Sequence, residues 1–287
     1  MIRASTVPYH VSLSHPDPVA LIPRSLAMID THCHLTFDDF AGRVPETIDE
    51  AIAAGVMGMI SVSTTPPDAE QALHLAETND RVWCTAGVHP LYSDRGPFEW
   101  ERLRKVASSP RCVAWGELGL DNHYDRPARA VQDTVLAEQL AFIERVHEGG
   151  RALPVVLHCR EAFDDLIPVL RRTRLDPTRF VFHCFTGGPA DVRKVLDFGA
   201  MVSFTGVVTY RNAREVAEAA RLVPLDRIMV ETDAPFLSPE PVRGRRPCRP
   251  AFVRHTAEFL ARLRCDDWET FHAAINLNTE RFFGVKA

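Results

Sequence analysis

No run of 18 or more apolar residues occurs in this 287-residue sequence, so it offers no stretch able to cross a bilayer as a helix. It also lacks any Cys-x-x-Cys pair, and its seven cysteines are odd in number with no framework spacing. That argues against a thiolate zinc site and against a disulfide scaffold. The cysteines read instead as small buried hydrophobes in a reducing setting, and a cytoplasmic location is expected. Positive charge is not in excess: a formal net charge of -5 argues against a protein that coats nucleic acid by bulk attraction, while leaving room for a local basic patch over a cleft. Internal repeats and low-complexity tracts are absent as well. What is present is 46% hydrophobic residues over a length that can bury one large core.

Residues 1–27 differ from the rest. They hold Pro8, Pro16, Pro18 and Pro23, no sustained apolar pattern and no apolar segment of the secretory-signal type. A flexible extension over 1–27 is therefore expected ahead of a domain spanning 28–287. Met28 directly precedes the first strand-like run, so a natural start of translation there is also consistent with the sequence.

From Met28 onward, strand-like runs and helical patterns alternate. The runs are Ala27–Thr31, Val56–Ser63, Val82–Val88, Cys112–Leu118, Pro154–His158, Phe180–His183, Ala200–Phe204 and Arg227–Glu231. Pro66-Pro67-Asp68 opens a helix reaching Thr78, Arg126-Pro127 opens one that reaches Gly149-Gly150, and Gly188-Pro189 opens one that closes near Gly199. Strands separated by helices imply right-handed βαβ units and a parallel sheet. Eight of them are the number that closes a single-domain α/β fold of the TIM-type (β/α)8 barrel; an open doubly wound sheet is the competing topology.

A barrel would give several scattered polar residues one address, the carboxyl ends of the strands. His32 and His34 end the first run, His89 follows the third, Glu117 ends the fourth, His158 the fifth, His183 the sixth and Asp233 the eighth. Residues i and i+2 of a strand share a face, so both imidazoles of His32-Cys33-His34 can reach one point. Alone, such a pair is as compatible with a surface or core histidine pair as with a ligand pair. Four histidines with Glu117 and Asp233 supply more donors than one tetrahedral ion takes, and a carboxylate bridging two divalent ions would use them all. Two ions would acidify a shared water and polarise a phosphoryl or carbonyl oxygen. Nitrogen and oxygen donors without thiolate suit Zn, Mn, Co or Mg. Strand alternation turns Cys33, Cys159 and Cys184 to the opposite face, where packing against helices is expected.

These residues carry a family resemblance. Ile29-Asp30-Thr31-His32-Cys33-His34-Leu35, Gly87-Val88-His89-Pro90, Gly116-Glu117-Leu118-Gly119-Leu120-Asp121, Leu157-His158-Cys159-Arg160, His183-Cys184-Phe185-Thr186-Gly187, Glu231-Thr232-Asp233-Ala234-Pro235 and the segment from Asn278 to Phe283 occur in one order across Met28 to Gly284. In this the chain resembles the TatD-type metal-dependent deoxyribonucleases of the amidohydrolase-like superfamily. The resemblance implies two divalent ions: His32, His34 and Asp233 hold one, His158 and His183 the other, and Glu117 bridges. It also implies that Asp233 orients or deprotonates the attacking water, and that His89 contacts the scissile phosphate without ligating. A structural His89 that caps the turn before Pro90 is the alternative. No lysine ends any strand-like run, so the carboxylated-lysine bridge of related amidohydrolases has no counterpart and Glu117 fills its place. The activity implied is hydrolysis of DNA, single strands favoured and RNA second, from the 3′ end, by a monomer with no membrane partner. An ester or amide hydrolase on the same barrel, such as an aminoacyl-tRNA deacylase, is the alternative. A non-catalytic barrel would have lost ligands, and none is lost here.

Substrate contacts are expected from Arg160 and from the loop Arg243-Gly244-Arg245-Arg246-Pro247-Cys248-Arg249, which follows Asp233 and so lies near the barrel mouth. Arginine forks match phosphate geometry and stay charged. Against the resemblance, Pro247-Cys248-Arg249-Pro250 replaces the Asn-Glu-Pro that typically continues this loop. Phe185, Tyr210 and Phe236 are candidates for stacking on bases, each also readable as packing.

Overall fold

The computed structural model describes residues 27–287; the extension expected over 1–27 lies outside the described residues except for Ala27. Eight strands form: β1 (Met28–Cys33), β2 (Val56–Ser61), β3 (Val82–Ala86), β4 (Cys112–Asp121), β5 (Val155–Arg160), β6 (Phe180–Phe182), β7 (Met201–Phe204) and β8 (Ile228–Val230). Each pairs in parallel with the next in chain order. The helices are α1 (Val44–Ala53), α2 (Pro66–Thr78), α3 (Trp100–Ala107), α4 (Arg129–Gly149), α5 (Phe163–Leu170), α6 (Pro189–Phe198), α7 (Arg214–Leu222), α8 (Val253–Arg264) and α9 (Trp268–Phe283).

The ring closes where β8 meets β1, which rules out the open sheet. Cys33 bridges Ala234, His34 N donates to Ala234 O at 2.7 Å and Asp233 N donates to His32 O at 2.9 Å. Side chains complete this seam: Thr31 Oγ1 donates to Val230 O at 2.9 Å, and the buried Asp30 carboxylate accepts from both the backbone N and the hydroxyl of Thr232.

Strands buried on both faces read as near-continuous apolar runs, and here the two faces fill two compartments. Ile29, Ile60, Val113, Val156, Val181 and Met229 pack inside the barrel, and Phe282, Phe283 and Val285 join them. The outer faces meet the helices through Met59, Leu157, Phe182 and Phe204 against Leu136, Leu166 and Leu260. Each such buried side chain contributes roughly 1.5–3 kcal/mol. Asn278 on α9 donates to Leu225 O at 2.9 Å and Ile228 O at 2.8 Å, fixing the last helix beneath β8.

Strand β4 runs three residues past the Leu118 expected from its apolar pattern. The Gln132 side chain explains the extension: its Oε1 accepts from Asp121 N and its Nε2 donates to Asp121 O and Pro127 O, acting as a surrogate strand partner. The same contacts keep Arg126-Pro127 in the loop, so α4 starts later than the proline signal implies. Strands β6 and β8 stop before His183 and Glu231, leaving those side chains on the turns above the barrel.

Candidate metal centre

Above the apolar filling, six side chains converge. His32 Nε2 and His34 Nε2 lie 3.3 Å apart. Asp233 Oδ1 is 3.6 Å from the first and 3.3 Å from the second. Asp233 reaches this point because its backbone is left-handed, with φ of 57°, which turns the carboxylate inward immediately after the seam. On the other side, His183 Nε2 is 2.6 Å and His158 Nδ1 3.7 Å from Glu117 Oε2. Glu117 stands between the groups: Oε1 faces His32 at 3.8 Å and His34 at 3.6 Å, while Oε2 faces His158 and His183.

Glycine makes that central position accessible. Gly116 has φ of 131°, and a Cβ there would stand 2.7 Å from Val156 O, so a side chain would push β4 off β5. Its carbonyl is held by the Thr85 hydroxyl at 2.6 Å, and Glu117 N donates to Ser63 O at 3.2 Å. The carboxylate between the two groups thus springs from a backbone anchored to β3 and to the turn after β2.

The outer ring of hydrogen bonds sets which imidazole nitrogen is free. His34 Nδ1 lies 2.9 Å from Val62 O, which can only accept, so the proton sits on Nδ1 and the Nε2 lone pair points inward. His158 Nε2 lies 2.9 Å from Asp121 Oδ2, which leaves Nδ1 facing Glu117. His183 Nδ1 is 3.3 Å from Glu231 Oε1, and Glu231 is itself fixed by the Ser203 hydroxyl at 2.7 Å and Cys184 N at 2.6 Å. These partners are what metal-bound histidines need to hold tautomer and ring angle. Asp121 and Glu231 were not singled out from the sequence, although they lie inside two of its motifs, four residues after Glu117 and two before Asp233.

His89 behaves differently. Its Nδ1 accepts from Leu91 N at 3.0 Å, capping the turn at Pro90, so the neutral ring carries its proton on Nε2. That N–H points into the centre, 3.1 Å from His158 Nδ1 and 3.9 Å from Glu117 Oε2. Burial pushes the His89 pKa down to about 3, so it is a neutral donor. Capping and facing the site are two ends of one ring.

Lone pairs that face one another require positive charge. Glu117 Oε2 and His183 Nε2 are buried and 2.6 Å apart without hydrogen-bond geometry, and His32 Nδ1, across the ring from the Nε2 that faces the carboxylates, is buried without a hydrogen-bond partner among the described residues. Burial holds His32 well below the usual imidazole range, so it is neutral. Burial also opposes charge on Glu117 and His183. The imidazoles around the carboxyl outweigh it, holding Glu117 well below its usual range, and Glu117 with Glu231 holds His183 well above. Without an ion a proton on His183 supplies the positive charge beside Glu117; the nitrogen and oxygen donors gathered here are of the kind divalent cations take, and binding at His183 would release that proton. Close-set triads within the centre are His32–His34–Asp233, His89–Glu117–His158 and His32–His183–Glu231.

A cavity of about 850 Å³ opens over these residues. Arg160 lines it; Arg243, Arg245 and Arg246 do not. Arg243 stacks on Tyr210, 3.8 Å from the ring centroid, and Arg249 is tied to Glu50 at 2.8 Å, which draws that loop aside. Among the stacking candidates, Phe185 is buried in the core, Tyr210 lies under Arg243 with its hydroxyl on Ser238 O, and Phe236 is exposed in the cavity. Cys33 and Cys159 join the outer apolar layer as expected. Cys159 also reaches the cavity wall, and so does Cys184, whose left-handed turn (φ of 43°) ends the strand alternation.

A family model described as TatD related DNase matches residues 29–284. The chain is 37% identical over 265 residues to an uncharacterized metal-dependent hydrolase, YcfH, of Escherichia coli K12, covering 91% of this chain and 97% of that protein. It is 36% identical over 266 residues to the 3′-5′ ssDNA/RNA exonuclease TatD of Erwinia amylovora, covering 90% of this chain and all of that protein, 100%. Among solved structures, a TatD homologue of Escherichia coli K12, YjjV, superposes with a TM-score of 0.83 at 30% identity, covering 91% of this chain and 99% of that one.

Proposed function

The chain belongs to the TatD related DNase family of metal-dependent hydrolases, and from that premise we propose that it is a two-metal phosphodiesterase trimming single-stranded DNA, with RNA second, from the 3′ end. The observation that carries this reading is the division of Glu117, one oxygen toward His32 and His34 and the other toward His158 and His183. A shared carboxylate between two inward-facing donor groups is the arrangement two adjacent divalent ions require. The 36% identity to a protein named as a 3′-5′ ssDNA/RNA exonuclease supports the substrate class.

In this reading His32, His34 and Asp233 hold one ion, His158 and His183 the other, and Glu117 both; Mg, Mn, Zn and Co all suit the donor set. When bound, such ions lower the pKa of water toward neutrality and polarise a phosphoryl oxygen. Asp233 is 14% exposed, the more open of the two carboxylates, and it faces the cavity where it can accept the proton of the attacking water. His89 donates its Nε2–H to a phosphoryl oxygen, held in that tautomer by the Leu91 amide. Arg160 offers its fork to a neighbouring phosphate.

The test is product mapping on end-labelled oligonucleotides with Mg²⁺ or Mn²⁺. We expect mononucleotide release from the 3′ end of single strands, and a loss of at least about a hundredfold for Asp233→Ala. No cleavage of any oligonucleotide, or an Asp233→Ala variant as active as the parent, would overturn the reading. One observation favours a second one: five carboxylates, Glu161, Asp164, Asp165, Asp191 and Glu215, also line the cavity. Asp164 and Asp191 pair with Lys194 and Asp165 with Arg129, so it is Glu161 and Glu215 that suit a substrate less anionic than a nucleic acid, such as an ester or amide bearing an amine. A panel of phosphodiester, ester and lactam substrates separates the two.

A further inference from the structure

Folding leaves two large aromatic rings exposed at the cavity, Tyr124 at 50% and Phe236 at 47%. Tyr124 follows β4 and Phe236 follows β8, so in a ring of eight strands they stand on opposite sides of the mouth with the metal centre between. Both are held from behind. Tyr124 N donates to Asp121 Oδ1 at 3.2 Å, and Arg160 lies 5.1 Å from the ring centroid with Nη1 3.4 Å from the hydroxyl. Phe236 N donates to Asp233 O at 2.9 Å, and the Phe37 ring meets it edge-on at 6.1 Å. Each ring is thus tied to a residue of the centre itself, Asp121 behind His158 and Asp233 directly.

The rim between the rings is asymmetric. The arc over β5 to β7 carries Glu161, Asp164, Asp165, Asp191 and Glu215. The opposite arc, over β1 to β3, presents Phe37, Thr64, Leu91 and Tyr92 and adds no carboxylate. Lys194 pairs with Asp164 and Asp191, Arg129 with Asp165, and His123 faces Glu161, so the first arc is mixed in charge while the second is apolar and neutral.

We propose that Tyr124 and Phe236 are stacking platforms for unpaired bases on the two sides of the bond that is cut, with Arg160 against a phosphate beside Tyr124. The proposal rests on the nucleic-acid reading for its substrate class. Every base has a π face, so two platforms accept any sequence, and bases locked in a duplex cannot reach them. Selection of single strands then comes from these two rings and not from the metal ligands.

The experiment uses the Mn²⁺-loaded full-length protein and short single strands carrying 2-aminopurine on one side or the other of the terminal bond. Stopped-flow mixing should show a fluorescence quench on binding, lost on one side in Tyr124→Ala and on the other in Phe236→Ala. KM should rise about tenfold in each variant with kcat within about threefold, and a tryptophan at the same position should restore both quench and KM. Removing the facing base should weaken binding to the parent equally, and should add nothing in the variant. Unchanged quench and KM in both variants, or losses from ring and base that multiply, would overturn the platforms while leaving the nuclease reading intact. A strand that binds with the quench but is not cut would leave the platforms standing and remove the nuclease reading. Failure to bind any strand removes both.

Discussion

At the scale of single residues, the groups that never touch substrate are as telling as those that do. Val62 O, Asp121 and Glu231 each take the outer proton of one histidine, and Leu91 N donates to the outer nitrogen of His89, so the ring nitrogens facing the cavity are fixed before any ion arrives. Asp121→Asn keeps the size but replaces an obligate acceptor by an amide that can also donate, so His158 loses its defined tautomer. We expect Mn²⁺ affinity to fall roughly 10- to 100-fold, read by titration calorimetry, with the thermal midpoint of the metal-free protein little changed. Unaltered affinity would mean that the 2.9 Å contact does not orient His158.

At the scale of elements, α4 does more than cover the barrel. Gln132 brackets the end of β4, and Gln139 accepts from Val88 N at 2.8 Å and donates to Val88 O at 2.9 Å, bracketing the turn before His89. Farther along, His147 Nε2 accepts from Trp115 Nε1 at 3.1 Å, joining the end of α4 to β4. Burial, with Arg179 nearby, lowers the His147 pKa below its usual 6.5. A lowered imidazole pKa means the unfolded chain binds the proton first, so this contribution is complete above pH 6.5 and is lost as pH falls below it. Acid should therefore weaken the fold and shift tryptophan emission from below pH 6.5, and His147→Gln should remove that component. A variant whose denaturation midpoint keeps the same pH slope as the parent would contradict this.

At the scale of the molecule, the barrel has one seam unlike the others. Between β8 and β1 the backbone bonds are few and fall at the upper rim, and Asp30 and Thr31 supply the rest from side chains. The candidate centre spans that same seam, since His32 and His34 come from β1 and Asp233 from the turn after β8. Bound ions would then clasp the barrel as well as serve the chemistry. Chelation should lower the melting temperature, with about 2.7 kcal/mol at stake when free metal is a hundred times its dissociation constant. Hydrogen exchange should speed up in β1 and around Thr232 to Ala234 more than in β3 to β5. Uniform acceleration across the sheet would show that the ions do not hold the seam.

What the sequence by itself determined are the features written in local chemistry. Short apolar runs, separated by helical segments of which several are opened by proline or closed by glycine, specify eight parallel strands. Polar residues at the ends of mostly apolar runs stand out, which is why His32, His34, Glu117, His158, His183 and Asp233 read as one set. Tertiary structure alone decided what depends on partners distant in sequence. His34 finds its proton acceptor just past β2, His158 finds Asp121 on β4, and Glu231 meets Ser203 of β7. The arginine loop follows Asp233 in sequence, and its side chains find partners no local pattern announces: Arg249 pairs with Glu50, 199 residues away, and Arg243 settles on Tyr210. Tyr124 carried no signal of its own, since an aromatic in a polar loop gains meaning only when the ring of strands sets it across from Phe236. Local pattern fixes which face a side chain takes; only the closed barrel fixes what it faces.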